Sequence, residues 1–197
     1  SPTRRRTRHF HSIMTTLLAP PITAPERLPD VLAESGHAVL SPAGLCALSA
    51  VALVDLEGLQ PMWSDLPPDA YLRDGGRYRR RRHACFVVDG AAVQQAPHRA
   101  HWQPVEYNAL HGGIERWFEP MDAALIARPV WQRLLVSLAA TCSTVKGDRP
   151  WFVEAHQFRI DTREGIGRPT PEGAHRDGVD LVAVMLLARE GVKGGET

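Results

Sequence analysis

Helical and strand-like patterns of apolar residues divide the chain into two parts. Serine followed by proline at 41–42 is a good helix start, because serine caps the free backbone amides and proline fits the first turn. The apolar positions that follow predict a helix over about 43–56. Apolar positions spaced three or four residues apart predict another from Pro129 to Ser143. Both helices are expected to bury one apolar face.

Segments typical of strands lie beside these helices. Arg77 to Val88 and Ala91 to Gln95 flank Asp89-Gly90, a residue pair typical of a β-hairpin turn. Trp151 to Ile160 is rich in aromatic and β-branched residues and predicts a further strand. The run from Leu181 to Ala188 is apolar at nearly every position, so we expect a strand there that is covered on both sides.

The order of these elements predicts the fold class. Helices come first and an antiparallel type of β region follows, which indicates an α+β domain with a barrel or jelly-roll sheet and the N-terminal helices packed on it. Residues 1–29 contain several prolines and no periodicity, so they are predicted to form a disordered or extended lead-in. Residues 30–197 make up the remaining single domain.

Composition and charge exclude several classes of protein. The net charge is +1 and hydrophobic residues make up 44% of the chain, so neither a nucleic-acid partner nor a membrane is indicated. The longest apolar stretches are too short to span a bilayer, and no signal peptide is visible. The 3 cysteines are widely spaced, which speaks against a disulfide framework or a zinc site and favours the reducing cytoplasm.

One short motif carries metal chemistry. His175 and Asp177 are separated by one residue and stand just before the apolar run at 181–188. Strand-like alternation would turn both side chains to the same side. A histidine nitrogen and a carboxylate oxygen are two of the three ligands in the 2-His-1-carboxylate site that holds Fe(II). The alternative is an ordinary polar loop between strands.

Several segments around this motif resemble one enzyme family. They read WFVEAHQFRI at 151–160, PTPEGAHRDG at 169–178 and GGET at 194–197, with YRRRR at 78–82 and QPVEYN at 103–108 upstream. Together they resemble the bacterial 2-oxoglutarate/Fe(II) dioxygenases related to the L-isoleucine 4-hydroxylase type. The resemblance covers roughly residues 35–197 and is most specific over the last part of the chain.

The resemblance implies a fold, two cofactors and a reaction. The fold would be a double-stranded β-helix of the jelly-roll or cupin-like kind. His175 and Asp177 would hold Fe(II), with open positions for 2-oxoglutarate and dioxygen. Oxidative decarboxylation of 2-oxoglutarate to succinate would be coupled to hydroxylation of a small molecule, namely the side chain of a free L-amino acid.

The same resemblance implies that part of the site lies beyond the sequence. The second metal histidine and the basic residue that pairs with 2-oxoglutarate are expected after Thr197, as are further strands. The 30–197 domain is therefore expected to be an incomplete, C-terminally truncated dioxygenase-like domain. With the apolar run at 181–188 uncovered, the isolated chain is expected to aggregate, form homo-oligomers or unfold in part. If it binds iron tightly alone, His156 is the first candidate for a third ligand.

Five further residues are candidates for binding cosubstrate or substrate. Gln157 and Arg159 share one face of a predicted strand and are candidates for 2-oxoglutarate or substrate; a structural salt bridge or a solvent-facing arginine is the alternative. A zwitterionic amino acid needs a cation and an anion in its pocket, and Arg79, Arg81 and Glu172 are available. The run of arginines around Arg79 also suggests nucleic acid, but strand alternation divides it between two faces.

Two functions therefore remain. The first is an Fe(II)/2-oxoglutarate hydroxylase of a small molecule. The second is a non-catalytic jelly-roll binding module from a truncated or decayed paralogue. Iron-dependent formation of succinate separates the two.

Overall fold

An antiparallel sheet and one long helix form the centre of the structure. The computed structural model describes residues 20–163, 165–168, 171, 175 and 177–192. Among these residues the strands are β1 (Arg79–Asp89), β2 (Ala92–Gln95) and β3 (Trp151–Ile160), in the order β2-β1-β3. The helices are α1 (Leu28–Ser35), α2 (Pro42–Ser49), α3 (Leu53–Glu57), α4 (Ala123–Ile126) and α5 (Pro129–Lys146), with 3-10 turns at Pro25–Arg27 and Gln60–Trp63. An antiparallel sheet with helices is compatible with the predicted jelly-roll fold.

The helix predicted over 43–56 is two helices in the structure. Helix α2 begins where expected, because the Ser41 hydroxyl accepts a hydrogen bond of 3.0 Å from the amide three residues further on. It ends at Ala50, whose φ of 51° is left-handed, and α3 follows after a short break. The break lets Val51 and Leu56 join the core. Their burial offsets the strain of a left-handed alanine, which costs about 1 kcal/mol.

Helix α5 packs its apolar side on one face of the sheet. It begins at Pro129 as predicted and continues to Lys146 rather than Ser143. The indole Nε1 of Trp151 donates a hydrogen bond to Ser143 Oγ at 2.9 Å, which ties the end of the helix to the start of β3. The core between helix and sheet includes Ala84, Phe86, Val88, Trp131, Leu134, Leu135 and Ala155.

Strands β1 and β3 pair along almost their whole length, and the resulting ribbon has two different faces. The register places His83 opposite His156 and Val88 opposite Trp151. Paired residues share a face, so alternation separates the side chains that contact α5 from those of a second face. This polar face carries Arg79, Arg81, His83, Glu154 and His156. The predicted hairpin between β1 and β2 is confirmed, with the left-handed Gly90 in its turn.

An irregular segment, 96–120, lies beside the polar face. His101 and Arg116 exchange two backbone hydrogen bonds of 2.9 and 3.0 Å, which closes part of the segment into a loop. The amide of His83 donates to the Glu119 carbonyl at 3.0 Å, and the Met121 amide donates to the His83 carbonyl at 3.1 Å. These bonds hold the loop against β1 and bring His101 to the polar face.

The strand predicted from Leu181 to Ala188 does not form. Residues 181–190 are in neither helix nor strand, and Val184 and Leu186 are 90% and 77% exposed. A strand needs a neighbour that accepts and donates its backbone hydrogen bonds, and no described strand lies beside this segment. Apolar composition alone was therefore insufficient to place a strand here.

The N-terminal part of the described chain belongs to the domain. Of the predicted lead-in, residues 1–19 lie outside the described residues, whereas the Thr23 amide donates to the Val39 carbonyl at 2.7 Å. A 3-10 turn at Pro25–Arg27 then leads into α1, which ends at the left-handed Gly36.

Among the described residues no single helix is long and apolar enough to cross a membrane. One pair of helical segments, Pro42–Ser49 and Leu53–Trp63, would be long and apolar enough if both were counted together, but the chain is bent sharply between them.

Candidate active site

His175 and Asp177 are brought together as the sequence predicts. His175 Nε2 lies 3.1 Å from Asp177 Oδ1, and their side chains are 18% and 39% exposed. Two adjacent ligands of an octahedral ion with bonds of about 2.1 Å stand roughly 3 Å apart. An imidazole nitrogen and a carboxylate oxygen at this separation therefore fit a shared Fe(II) ion in both chemistry and distance.

A buried amide holds the aspartate of this pair. Gln103 donates from Nε2 to Asp177 Oδ1 at 3.1 Å. Its own Oε1 accepts hydrogen bonds from Asn108 Nδ2 at 2.9 Å and from Arg116 Nη2 at 2.8 Å. Sequence reasoning did not assign a role to Gln103 or Arg116, although Gln103 opens the QPVEYN segment that carries the family resemblance.

A second group of ligating side chains lies on and beside the polar face. His83 and His156 face each other across β1 and β3 and stack with ring centroids 4.6 Å apart. Glu154 precedes His156 by two residues and so shares its face, and the loop adds His101, whose Nδ1 lies 2.9 Å from Glu154 Oε2. One ligand atom from each of the four lies within 4.8 Å of the others, so this four-residue cluster could hold a metal ion.

Burial sets the protonation states of the cluster. It lowers the pKa of His83 to about 4 and the pKa of His156 well below its ordinary value, with the Arg81 charge adding to the effect at His156. Burial would raise the pKa of the Glu154 carboxyl, but the hydrogen bond with the His101 ring outweighs it, with the charge of Arg99 adding to the effect, and the net pKa is lowered. At neutral pH the cluster thus presents two neutral imidazoles and a carboxylate.

Arg81 limits what His156 can ligate. Arg81 Nη2 lies 2.8 Å from His156 Nδ1. A guanidinium only donates hydrogen bonds, so Nδ1 must be the accepting nitrogen, and the proton of the neutral ring is then on Nε2. Neither nitrogen of His156 is available to a metal while this bond persists. The four-residue cluster therefore offers three ligands to a metal, beside a fixed positive charge that opposes the binding of a cation.

The predicted substrate residues Arg79 and Arg81 both lie on the polar face and are buried. They share one partner that the sequence did not reveal, since Asp69 Oδ2 lies 2.8 Å from Arg79 Nε and 3.7 Å from Arg81 Nη1. The guanidinium of Arg81 also stacks on Phe118 at 3.7 Å and on Phe158 at 4.5 Å. Glu172, the third predicted substrate residue, lies outside the described residues.

Gln157 and Arg159 lie on the other face of β3, away from the polar face. Gln157 donates from Nε2 to the Met62 carbonyl at 3.3 Å, and Arg159 donates from Nη1 to the Ser64 carbonyl at 2.7 Å. Arg159 also pairs with Asp161 at 3.8 Å. The structure gives both side chains partners in the fold and does not bring them to His175 and Asp177. Their role in binding 2-oxoglutarate stays a prediction.

Tyr107 packs against Gly178, the residue that follows Asp177. A Cβ atom built at Gly178, the residue after Asp177, would lie 2.8 Å from two ring carbons of Tyr107. Gly178 also has a φ of 71°, in the left-handed region. Glycine is thus required there by both the backbone and the tyrosine. The side chain of Tyr107 is 41% exposed, so this contact lies at the surface.

The matching family agrees with this geometry. The 2OG-Fe dioxygenase family matches residues 60–197, which is more than half of the chain. The chain belongs to the 2OG-Fe dioxygenase family. Enzymes of this family use Fe(II) and 2-oxoglutarate, which confirms the two predicted cofactors at the level of the family. No curated protein matches the chain.

The solved structures that share its fold include the following two. One is a bsmA homolog from Methylobium petroleophilum PM1, with 46% identity and a TM-score of 0.75, covering 81% of this chain and 65% of the other. The second is IDO from Bacillus thuringiensis, with 14% identity and a TM-score of 0.58, covering 82% of this chain and 66% of the other. The second likeness shows the fold alone. This chain spans less than two thirds of the length of either protein.

Proposed function

We propose that this protein is an Fe(II)/2-oxoglutarate-dependent dioxygenase that hydroxylates a small molecule, with His175 and Asp177 as iron ligands. The observation that carries the proposal is the 3.1 Å approach of His175 Nε2 and Asp177 Oδ1 in a chain of this family. The hydrogen bond from Gln103 supports it, because a carboxylate that binds a metal needs a fixed orientation.

The residues of the chain would hold and shield the reacting groups. Bound iron would supply the activation of dioxygen, which couples conversion of 2-oxoglutarate to succinate and carbon dioxide with insertion of one oxygen atom into a C–H bond. His175 would bind as a neutral imidazole and Asp177 as a carboxylate. The polar face would provide fixed hydrogen-bonding groups, and the ring of Tyr107 packs against Gly178, the residue after Asp177.

The substrate we propose is a free L-amino acid. Its ammonium group needs an anion and its carboxylate a cation, because buried charges must be paired. The polar face contains both signs: the Glu154 carboxylate, whose pKa is lowered, and the Arg81 guanidinium. Arg79 is less suited to a substrate than Arg81, since its hydrogen bond to Asp69 is the shorter of the two contacts. A role for Glu172, homo-oligomerisation and a cytoplasmic location stay predictions.

Metal binding and turnover of the purified protein test this function. His175→Ala and Asp177→Ala should each abolish Fe(II) binding and succinate formation, because a 2-His-1-carboxylate site has only three protein ligands and each variant removes one of them. His37→Ala, at an exposed position outside the site, should leave both unchanged. Retention of bound iron and succinate release in either site variant would contradict the assignment.

A substrate screen tests whether the substrate is a free L-amino acid. The standard amino acids are supplied with Fe(II), 2-oxoglutarate and oxygen, and succinate and the hydroxylated product are measured together. Stimulation by one aliphatic amino acid is expected. Equal background for all of them would exclude a free amino acid as substrate, and the absence of any iron-dependent succinate would favour a non-catalytic binding module.

The four-residue cluster is a second candidate for the metal, because its ligand atoms lie within 4.8 Å of one another. In that case His101→Ala and Glu154→Gln would abolish iron binding, while Asp177→Ala would leave it intact. The hydrogen bond from Arg81 to His156 leads us to expect the opposite result.

A further inference from the structure

Gln103 has an environment that fixes the direction of its hydrogen bond to Asp177. The residue is 6% exposed, and its Nε2 lies 3.1 Å from Asp177 Oδ1. The two ends of an amide side chain differ in function, since the nitrogen donates and the oxygen accepts, and only the surrounding groups tell which end faces which neighbour. A glutamine that presented its oxygen to Asp177 would repel the carboxylate.

The neighbours of Gln103 settle its orientation. Arg116 Nη2 lies 2.8 Å from Gln103 Oε1. A guanidinium has no acceptor, so the amide atom that it contacts must be the oxygen. Asn108 Nδ2 donates to the same oxygen at 2.9 Å. The amide nitrogen is therefore left to face Asp177, where it can only donate.

Asn108 is oriented in turn by the backbone. The amide of His111 donates to Asn108 Oδ1 at 2.8 Å, which directs the Asn108 nitrogen towards Gln103. Gly112 allows the turn to be this tight, because a Cβ atom there would lie 2.4 Å from the Asn108 carbonyl oxygen. Gln103, Asn108 and Arg116 are all buried. Hydrogen bonds within the turn over 103–113 thus hold Gln103 in place, and the Gln103 amide in turn holds one oxygen of Asp177.

We propose that Gln103 is a positioning residue that orients the Asp177 carboxylate towards the metal. The inference rests on the proposed function, in which Asp177 is an iron ligand. Groups that hydrogen-bond to a metal ligand fix its orientation, and their loss typically weakens metal binding about 10- to 100-fold. The amide of Gln103 restricts rotation of the carboxylate before the metal arrives, so the ligand is pre-organised.

The test replaces the amide of Gln103 by a carboxylate of nearly the same shape. Gln103→Glu keeps an oxygen towards Asn108 and Arg116 but places a second oxygen, instead of a donor, against Asp177. We expect Co(II), used as a spectroscopic probe, to bind about 10- to 100-fold more weakly. The visible absorption bands of the fully loaded variant should also change, because the carboxylate turns away from the metal. Gln94→Glu, an identical change at an exposed position on β2, should alter neither.

Asp177→Ala measured in parallel distinguishes an error in the metal site from an error in the role of Gln103. If Asp177→Ala retains the original Co(II) affinity, the proposed metal site itself is wrong. If Asp177→Ala loses Co(II) while Gln103→Glu keeps both the affinity and the absorption bands, only the positioning role is overturned. A lower melting temperature in Gln103→Glu with an unchanged affinity and spectrum likewise overturns it, because the role would then be structural.

A second variant covers the case in which Gln103→Glu fails to fold. Asn108→Ala removes one of the two donors that hold the Gln103 oxygen but leaves Gln103 in place. We expect a several-fold weaker affinity for Co(II) and a smaller change of the same absorption bands. An unchanged affinity in folded Asn108→Ala would overturn the proposal.

Discussion

The two faces of the β1–β3 ribbon bury different chemistry around their centre although they are built from the same two strands. One face, formed by alternate residues such as Phe86, Val88 and Trp151, packs against α5 and contains the hydrophobic core. The polar face carries Arg81, His83 and their neighbours, buried to a similar degree. The strand period of two makes this separation possible, since adjacent residues point to opposite sides.

Burial serves different purposes on the two faces. Apolar burial on the α5 face stabilises the fold directly. Burial of charged groups on the polar face costs free energy unless each group is paired, so that face depends on partners such as Asp69 and Glu154. A protein can retain such a face when it uses the groups to bind a polar ligand.

The largest expected effect comes from truncating a large side chain on the apolar face. Phe86→Ala should lower the free energy of unfolding by about 3–5 kcal/mol, because Phe86 is fully buried and leaves a cavity. Phe152→Ala is the matched control, on the adjacent strand and opposite face, where the side chain is 49% exposed. Denaturant unfolding of both variants measures the difference. Equal losses would show that the two faces do not differ as described.

Breaking the shared ion pair of the polar face is expected to have the next largest effect. Asp69→Asn leaves the buried guanidinium groups of Arg79 and Arg81 without their carboxylate, which should cost roughly 3 kcal/mol. Asp65→Asn makes the same change at an exposed site four residues earlier and should cost little. The melting temperatures of the two variants give the comparison, and a loss of similar size in both would argue against the pairing.

The polar face should also make stability depend on pH. The folded pKa of His83 is lowered to about 4, whereas the unfolded histidine titrates near 6.5. The unfolded chain therefore binds more protons between these values, and stability is lost as the pH falls from about 6.5 towards 4. This residue alone should remove roughly 2 kcal/mol between pH 7 and pH 5.

The His83→Gln variant checks the origin of that dependence. It should be less stable at neutral pH but should show a shallower decline in melting temperature between pH 7 and pH 5. An unchanged slope would assign the dependence to other groups, of which His156 is the first to examine because burial also lowers its pKa.

The smallest expected effect concerns the affinity of the four-residue cluster for a metal ion. Arg81→Met removes the donor that occupies His156 Nδ1 and leaves Asp69 paired with Arg79. Zn(II) affinity at the four-residue cluster should then rise about tenfold, or ~1.4 kcal/mol, since a fourth ligand becomes available and a positive charge is lost. The measurement is made in an Asp177→Ala background, so that the His175–Asp177 pair does not contribute. An unchanged affinity would show that Arg81 does not control the cluster.

Local patterns in the sequence were sufficient for the regular elements. The strand Trp151–Ile160 is confirmed at both ends, as is the hairpin at Asp89-Gly90, because β-branched content and turn chemistry act over a few residues. The strand predicted at 181–188 from apolar composition alone was wrong, since no described strand lies beside this segment to pair with it. The break at Ala50 was also missed, since it is favoured by core contacts of Val51 and Leu56 that no local pattern contains.

The sequence by itself determined that His175 and Asp177 come together, because a spacing of two residues is enough to bring both side chains to one side, where they lie 3.1 Å apart. Tertiary structure alone decided what surrounds that pair. Gln103 reaches Asp177 across 74 residues of sequence, and Asp69 pairs with arginines 10 and 12 positions away that lie on a different element. Tertiary structure also decided the surroundings of the two faces of β3. Gln157 and Arg159 bond to backbone carbonyls of the segment 62–64, whereas His156 lies on the polar face, because strand pairing and the position of α5 determine what covers each face. Contacts between distant segments depend on how the elements pack, and no spacing rule within one segment encodes them.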